Sequence, residues 1–279
     1  MTCRLCGSEA PLWGDRRDIA LHRCTACGFV SGRPAVVQGA AEYYDTYYSH
    51  PAPPAPEARY AEWLARAEAE VGRGRLLEVG AGSGGLVRVA LRRGWSVDAT
   101  EVSQSALEPL RGTGAAVFAG PVEGAGYSDG RFDLVVSLEV LEHLPTPLAE
   151  LKQLARVTRS GGLLLLTTPN FAGLSRRWLG LRWRVVDPEH LGYFTARTLF
   201  QALRAAGYDR IRVRARSLDV TTWFRRDRGQ PTARFDPHAS ARLRDAVDCS
   251  PGLRAVKEIA NVALGITGLG DSLLAWARR

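Results

Sequence analysis

Methionine and lysine are nearly missing from this chain of 279 residues: one methionine, and two lysines, Lys152 and Lys257. Cysteine is scarce as well, five in all, which excludes a scaffold stapled by many disulfides. No run approaches the ~20 uncharged apolar residues that a membrane helix needs. The longest late candidate, Ile259 to Gly270, is short and is broken by Gly265, Gly268 and Gly270. The opening residues, Met1 to Cys6, carry no apolar core of a secretory signal. These absences predict a soluble, cytoplasmic protein with no membrane partner. With 46% hydrophobic and 24% charged residues the composition is that of a globular chain, so disorder and fibrous repeats are excluded. The length suits one large domain with a small appendage.

The net charge of +8 is unevenly spread. Before Phe171 there are 17 basic and 19 acidic residues; from there on there are 20 and 10. A late basic excess favours an anionic partner, either a phosphate-bearing metabolite or a nucleic acid. A solvated basic face explains it equally well.

Four of the cysteines fall in two short repeats, Cys3-x-x-Cys6-Gly7 and Cys24-x-x-Cys27-Gly28. Each pair spans a tight turn that can bring two thiolates to one ion, which is the pattern of a four-cysteine zinc ribbon. The glycine after each pair suits the left-handed conformation that turns backbone amides towards sulfur. Four thiolates leave no open position, so Cys3, Cys6, Cys24 and Cys27 predict a structural zinc. The fifth, Cys249, reads as a small buried apolar residue. Next come the tyrosine-rich run Tyr43 to Tyr48, expected to form a lid or packing surface, and a proline-rich stretch, Pro51 to Pro56. Two parts follow: a ribbon and lid over residues 1–50, and a larger domain over 57–279.

The larger part opens with an amphipathic helix, Glu57 to Val71, and then alternates strand, turn and helix. Leu76 to Val79, Trp95 to Thr100, Ala115 to Ala119, Phe132 to Leu138 and Leu163 to Thr168 read as strands. That order implies an α/β fold, a doubly wound parallel sheet with its ligand at the carboxyl ends of the strands. The first turn, Gly80-Ala81-Gly82-Ser83-Gly84-Gly85, is ambiguous taken alone. Gly80, Gly82 and Gly85 satisfy the dinucleotide fingerprint, with Glu101 as its ribose acid. Gly80, Gly82 and Gly84, with Glu78 two residues ahead, equally satisfy the acid-x-Gly-x-Gly-x-Gly turn that binds S-adenosylmethionine (SAM). A carboxylate repels a pyrophosphate at a helix N-terminus, whereas SAM brings an ammonium and a sulfonium that welcome one. Glu78 favours SAM.

Leu76 to Gly84, Phe132 to Val136, Leu141-Glu142-His143-Leu144 and Gly161 to Asn170 occur in order, and together resemble a class I SAM-dependent methyltransferase of the ubiquinone-biosynthesis-like branch. With the ribbon, the layout is similar to bacterial zinc-ribbon methyltransferases, some of which C-methylate nucleotide-linked sugars. The resemblance implies a mostly parallel seven-stranded sheet whose last strand is Asp271 to Ala277, and a SAM cofactor. Gly80, Gly82 and Gly84 would let the backbone approach SAM, Glu78 would reach its amino group, Glu101 its ribose hydroxyls, and Pro121 and Val122 would flank its adenine, with Leu138 also in the cofactor site.

A methyl acceptor must lie in line with the sulfonium and lose a proton. Of five histidines, two share a tripeptide: Glu142-His143-Leu144 and Glu189-His190-Leu191. His143 follows the fourth strand, and His190, with Glu189 beside it, lies in an insertion over 171–193; both are candidate bases, each expected to be tuned by the carboxylate beside it. A second insertion, 218–270, is expected to form a helical cover. Glu139, Glu142 and His143 also resemble the acid-x-x-acid-His cluster of ubiquinone-type O-methyltransferases, where magnesium binding is proposed; carboxylates suit magnesium and imidazole does not, so this is the secondary reading. The leading reading is methyl transfer to oxygen or carbon of a small anionic or carrier-linked metabolite. The alternative is an RNA methyltransferase gripping its substrate with the ribbon and the basic C-terminal region. Against it, no aromatics interleave with the basic residues as RNA binding needs.

Overall fold

The computed structural model describes residues 1–16, 18–35, 56–218 and 251–279, the side chains of 251 and 253–258 excepted. The tyrosine run, the proline stretch up to residue 55, Cys249 and much of the second insertion lie outside the described residues. Among the described residues no helix is long and apolar enough to cross a membrane.

The central sheet is built from β4 (Arg75–Val79), β5 (Ser96–Glu101), β6 (Ala116–Ala119), β7 (Phe132–Leu138), β8 (Thr158–Pro169), β10 (Asp209–Arg216) and β11 (Ser272–Arg278). Their spatial order is β10-β11-β8-β7-β4-β5-β6. Strands β4 to β8 run parallel, and β11 lies antiparallel between β8 and β10. From β4 the chain steps outward through β5 and β6, then returns to lay β7 and β8 on the other side. The order therefore reverses between β4 and β7, and a ligand crevice opens beyond their carboxyl ends. Helices α1 (Glu57–Val71), α2 (Gly85–Arg92), α3 (Gln104–Arg111), α4 (Pro147–Val157), α5 (Leu174–Leu179), α6 (Ala196–Ala205) and α7 (Pro251–Thr267) complete the described chain.

Strand side chains alternate in direction, and both faces of this sheet are apolar. Leu76, Leu134, Leu163 and Leu165 pack on one face with Trp63, Leu64 and Ala67 of α1. Leu77, Val135, Leu164 and Leu166 pack on the other with α4 and α6. A strand covered on both sides reads as a continuous hydrophobic run, which is why Leu163 to Leu166 carries no polar residue. The strands read from the sequence begin and end within a few residues of the expected bounds, and β10 is not among them. The exception is β8, which starts at Thr158 because its first residues pair with Phe132 before the apolar run begins.

The N-terminal segment forms a second, antiparallel sheet of β1 (Leu12–Arg16), β2 (Ile19–Arg23) and β3 (Val30–Pro34). Its fourth strand is β9 (Gly192–Tyr193), contributed by the insertion after β8: Val30 pairs with Tyr193 and Ser31 with Gly192. Phe29 packs on Phe194 with ring centroids 4.8 Å apart. A two-residue strand has no sequence period, so this joining of ribbon and insertion could not be read beforehand.

Candidate active site

The turn between β4 and α2 is shaped by its glycines. Gly80, Gly82 and Gly84 all have positive φ, at 69°, 52° and 80°, a conformation costly for residues with a Cβ. Gly84 serves as the left-handed N-cap of α2. A Cβ on Gly80 would lie 2.5 Å from Val140 Cγ2, so the loops after β4 and β7 touch where the strand order reverses.

Glu101 ends β5, and its carboxylate accepts three backbone N–H groups: Gly82 at 2.7 Å, Val102 at 2.7 Å and Ser103 at 2.8 Å. The residue read as a ribose ligand thus also holds the glycine turn in place. Gly120 N–H donates to the Glu101 carbonyl at 2.8 Å, bringing Pro121 and the buried Val122 to the same edge. Leu138, half-buried, ends β7 on the other side of the crevice. Glu78 lies inside, 4% exposed, and its Oε2 has no hydrogen-bond partner. Burial, with the Glu101 charge adding to it, pushes its carboxyl up to about 8. A buried carboxyl oxygen without a partner beside a glycine turn suits a cationic ligand group such as the SAM ammonium.

Beyond β7 the chain passes through Glu139, a non-glycine residue with φ of 55° and the signature of a constrained functional turn. Glu139 is open to solvent; its carboxyl hydrogen-bonds that of the buried Glu142. Glu142 Oε2 also accepts from Thr168 Oγ1 at 2.9 Å, and burial followed by the Glu139 charge raises its pKa well above the usual range. Thr168 follows the fully buried leucines of β8, and nothing in the sequence marked it as a partner of Glu142.

The two Glu-His-Leu tripeptides meet. His143 and His190 stand edge to face with ring centroids 4.6 Å apart. His143 Nδ1 lies 3.1 Å from the Glu189 carbonyl, and His190 Nδ1 lies 2.6 Å from the Val185 carbonyl. A carbonyl only accepts, so each ring carries its proton on Nδ1, which makes Nε2 the acceptor nitrogen. Burial lowers both rings' pKa; His143, with the neighbouring His190 adding to the effect, falls to about 3. The expected tuning of each histidine by its adjacent carboxylate is outweighed. Glu189 touches His143 through its backbone, while burial and Asp187 raise its own carboxyl to about 7. Glu142 Oε1 sits 3.9 Å from His143 Nε2 but is itself pushed towards neutrality. Glu142, His143 and His190 offer donor atoms within 4.8 Å of one another, so His190 takes the place in this group that the sequence pattern gave to Glu139.

The arginines of the insertion divide by role. Arg176 stacks over Trp13 at 4.9 Å and Phe171 at 4.7 Å, and Arg177 donates to the Ala172 carbonyl. Arg184 is the one whose charge reaches both Glu139 and His190, and Arg59 of α1 also acts on Glu139. Asn170 ties the start of the insertion to the loop before β11, donating to Gly268 and Gly270 carbonyls at 3.0 and 2.6 Å.

The four cysteines of the ribbon are free thiols in one cluster. Sulfur separations are 3.7 Å for Cys3–Cys27, 3.5 Å for Cys6–Cys24 and 3.5 Å for Cys6–Cys27. A tetrahedral ion with ~2.3 Å bonds to sulfur sets its ligands about 3.8 Å apart, so these thiols fit one with little movement. Leu5 and Cys27 amides point at Cys3 and Cys24 sulfur at 3.4 Å, and Gly7 and Gly28 adopt the expected left-handed conformation.

A seven-stranded sheet with one antiparallel strand near its edge and a glycine turn after β4 together have the layout of a class I SAM-dependent methyltransferase domain. Residues 55–213, more than half the chain, match the family described as "Methyltransferase domain", and the chain belongs to it. A ubiquinone biosynthesis O-methyltransferase of Alkalilimnicola ehrlichii is 36% identical over 103 residues, covering 34% of this chain and 42% of that protein. A malonyl-[acyl-carrier protein] O-methyltransferase of Serratia marcescens is 32% identical over 161 residues, 56% of this chain and 62% of that one. The chain thus spans less than two thirds of either curated relative. The crystal structure of a SAM-dependent methyltransferase from Archaeoglobus fulgidus shares the fold, with a TM-score of 0.54 at 16% identity, over 86% of this chain and all of that one.

Proposed function

We propose that this protein transfers the SAM methyl group to oxygen or carbon of a small anionic or carrier-linked metabolite, with the His143–His190 pair receiving the acceptor's proton. The observation that carries the reading is the meeting of His143 and His190 at the edge of the crevice, each ring anchored through Nδ1 to a backbone carbonyl. SAM, when bound, supplies the activated methyl group. Glu78 holds a cation, Glu101 fixes the glycine turn and faces hydroxyl donors, and the two rings stay neutral and ready to accept a proton. His190 is the base and His143 its neighbour. An anionic acceptor supports this division, because negative charge beside a buried imidazole raises its pKa and strengthens it as a base. Arg184 and Arg59 favour such an acceptor. Both curated relatives are named O-methyltransferases, one acting on an acyl-carrier substrate, which supports oxygen as the acceptor atom.

The four thiols hold one structural zinc, and free thiols of this kind fit a reducing, cytoplasmic setting. The test is transfer of radiolabelled methyl from SAM to panels of phenols, carboxylates, sugar nucleotides, acyl-carrier thioesters and bulk RNA. Label in a small or carrier-linked acid or phenol supports the reading; label in RNA alone overturns it.

A further inference from the structure

We propose that Arg4, inside the first cysteine knuckle, is a positioning residue for the histidine pair, which makes the ribbon part of the active-site frame; this rests on the histidine reading above. Arg4 lies between Cys3 and Cys6. Its guanidinium donates to the Pro145 carbonyl at 3.2 Å, two residues beyond His143, and reaches the Gly32 carbonyl of β3 at 3.5 Å. Gly32 N–H donates in turn to the Leu191 carbonyl at 2.9 Å, next to His190. Leu191 N–H donates to the Glu142 carbonyl at 2.8 Å, next to His143. The hydrogen bonds therefore close a ring: Arg4, the turn after His143, Glu142, Leu191, Gly32 and Arg4 again. His143 sits on its circumference, and His190 adjoins it at Leu191.

Two further observations support a positioning role. The Arg4 guanidinium is partly buried, and its Nε is shielded without a partner. A charge held at that cost against two carbonyls is placed by geometry, since a solvated side chain would avoid the penalty. At Gly32, a Cβ would lie 2.5 Å from the His190 carbonyl oxygen, so β3 and the histidine segment approach too closely there for a side chain. Displacing a base by ~1 Å can cost about 10²-fold in rate, so this contact is tight enough to matter.

Arg4→Ala and Gly32→Ala, each made in the full chain, open the ring from opposite sides. Zinc content, SAM affinity, amide exchange at Leu191 and turnover are measured for both. Zinc and SAM affinity are expected to match the wild type. Leu191 exchange accelerates ~10-fold or more, and kcat falls about 10–100-fold with KM for SAM unchanged. Arg4→Lys, which keeps a donor for Pro145, regains part of the loss. Wild-type exchange and full turnover in a variant that keeps its zinc overturn the proposal. If Arg4→Ala sheds zinc, Gly32→Ala, which leaves both knuckles untouched, decides on the same readouts. The exchange readout does not depend on chemistry. An active His190→Ala enzyme would count against the histidine reading alone, while faster Leu191 exchange would still show the clamp.

Discussion

Glu78 gives the most quantitative test of the cofactor site. Its carboxyl is buried in the middle of the sheet, with one oxygen lacking a partner, and titrates at about 8 where 4.5 is ordinary. At ~1.4 kcal/mol per tenfold change in protonation, keeping it ionised in the empty pocket costs about 5 kcal/mol. At pH 7 about nine chains in ten therefore hold the proton. An ammonium ion arriving beside the carboxyl favours the ionised form, so SAM binding expels close to one proton per chain at pH 7, and about half a proton at pH 8. Affinity consequently strengthens up to ~10-fold per pH unit up to pH 8 and then levels. Calorimetry in buffers of different ionisation enthalpy reads the proton count directly. The cofactor's own α-amino group titrates nearby, so Glu78→Gln is the control, and in that variant the release disappears. The same group shapes the empty fold. A raised carboxyl contributes stability that is complete below pH 4.5 and lost as pH rises through about 8. The wild-type melting temperature without cofactor should decline across that window, and Glu78→Gln should remove that part of the decline. Equal proton counts for wild type and Glu78→Gln would refute the assignment.

Three other outcomes follow. His143 is depressed to about 3 and His190 in the same direction, so kcat/KM, which reports the free enzyme, should show no histidine limb near pH 6.5; a limb there would mean that the rings are solvated. Glu101→Ala should weaken SAM by about 1.5–3 kcal/mol in titration calorimetry, the scale of hydrogen bonds to a charged group, and an unchanged affinity would remove Glu101 from the site. Protein purified without added metal should carry one zinc per chain, and Cys24→Ala should lose both metal and ribbon structure, because a structural site's binding energy is folding energy. A metal-free wild type refutes this.

Much of this architecture was legible because a sheet buried on both faces leaves a strong signature. The runs at Leu76, Phe132 and Leu163, punctuated by glycine turns, admit few other arrangements. Glu78 stood out in the sequence because physics separates a phosphate ligand from a cationic one, and Glu101 because of its place at the end of the second strand. The histidines stood out only as a repeated tripeptide; their meeting depends on the path of the insertion, which no local period encodes. Strand β9 was invisible for the same reason, and with it the sheet that joins ribbon to insertion. Thr168 and Arg4 were missed because each acts through a contact distant in sequence, Arg4 through backbone carbonyls whose identity the sequence does not mark. The expected tuning of each histidine by its neighbouring acid failed because burial outweighs carboxyls that are themselves driven towards neutrality, with the second imidazole adding to the effect at His143.

The central claim is that His190 takes the acceptor's proton at the edge of the crevice. Comparing single-turnover methyl transfer and SAM affinity in wild type and His190→Ala, on whichever acceptor the labelling panel identifies, tests it most directly. The account predicts a fall in the transfer rate of about 10²–10⁴-fold, the usual weight of a general base, with SAM affinity unchanged. A His190→Ala enzyme that transfers methyl at the wild-type rate would contradict it.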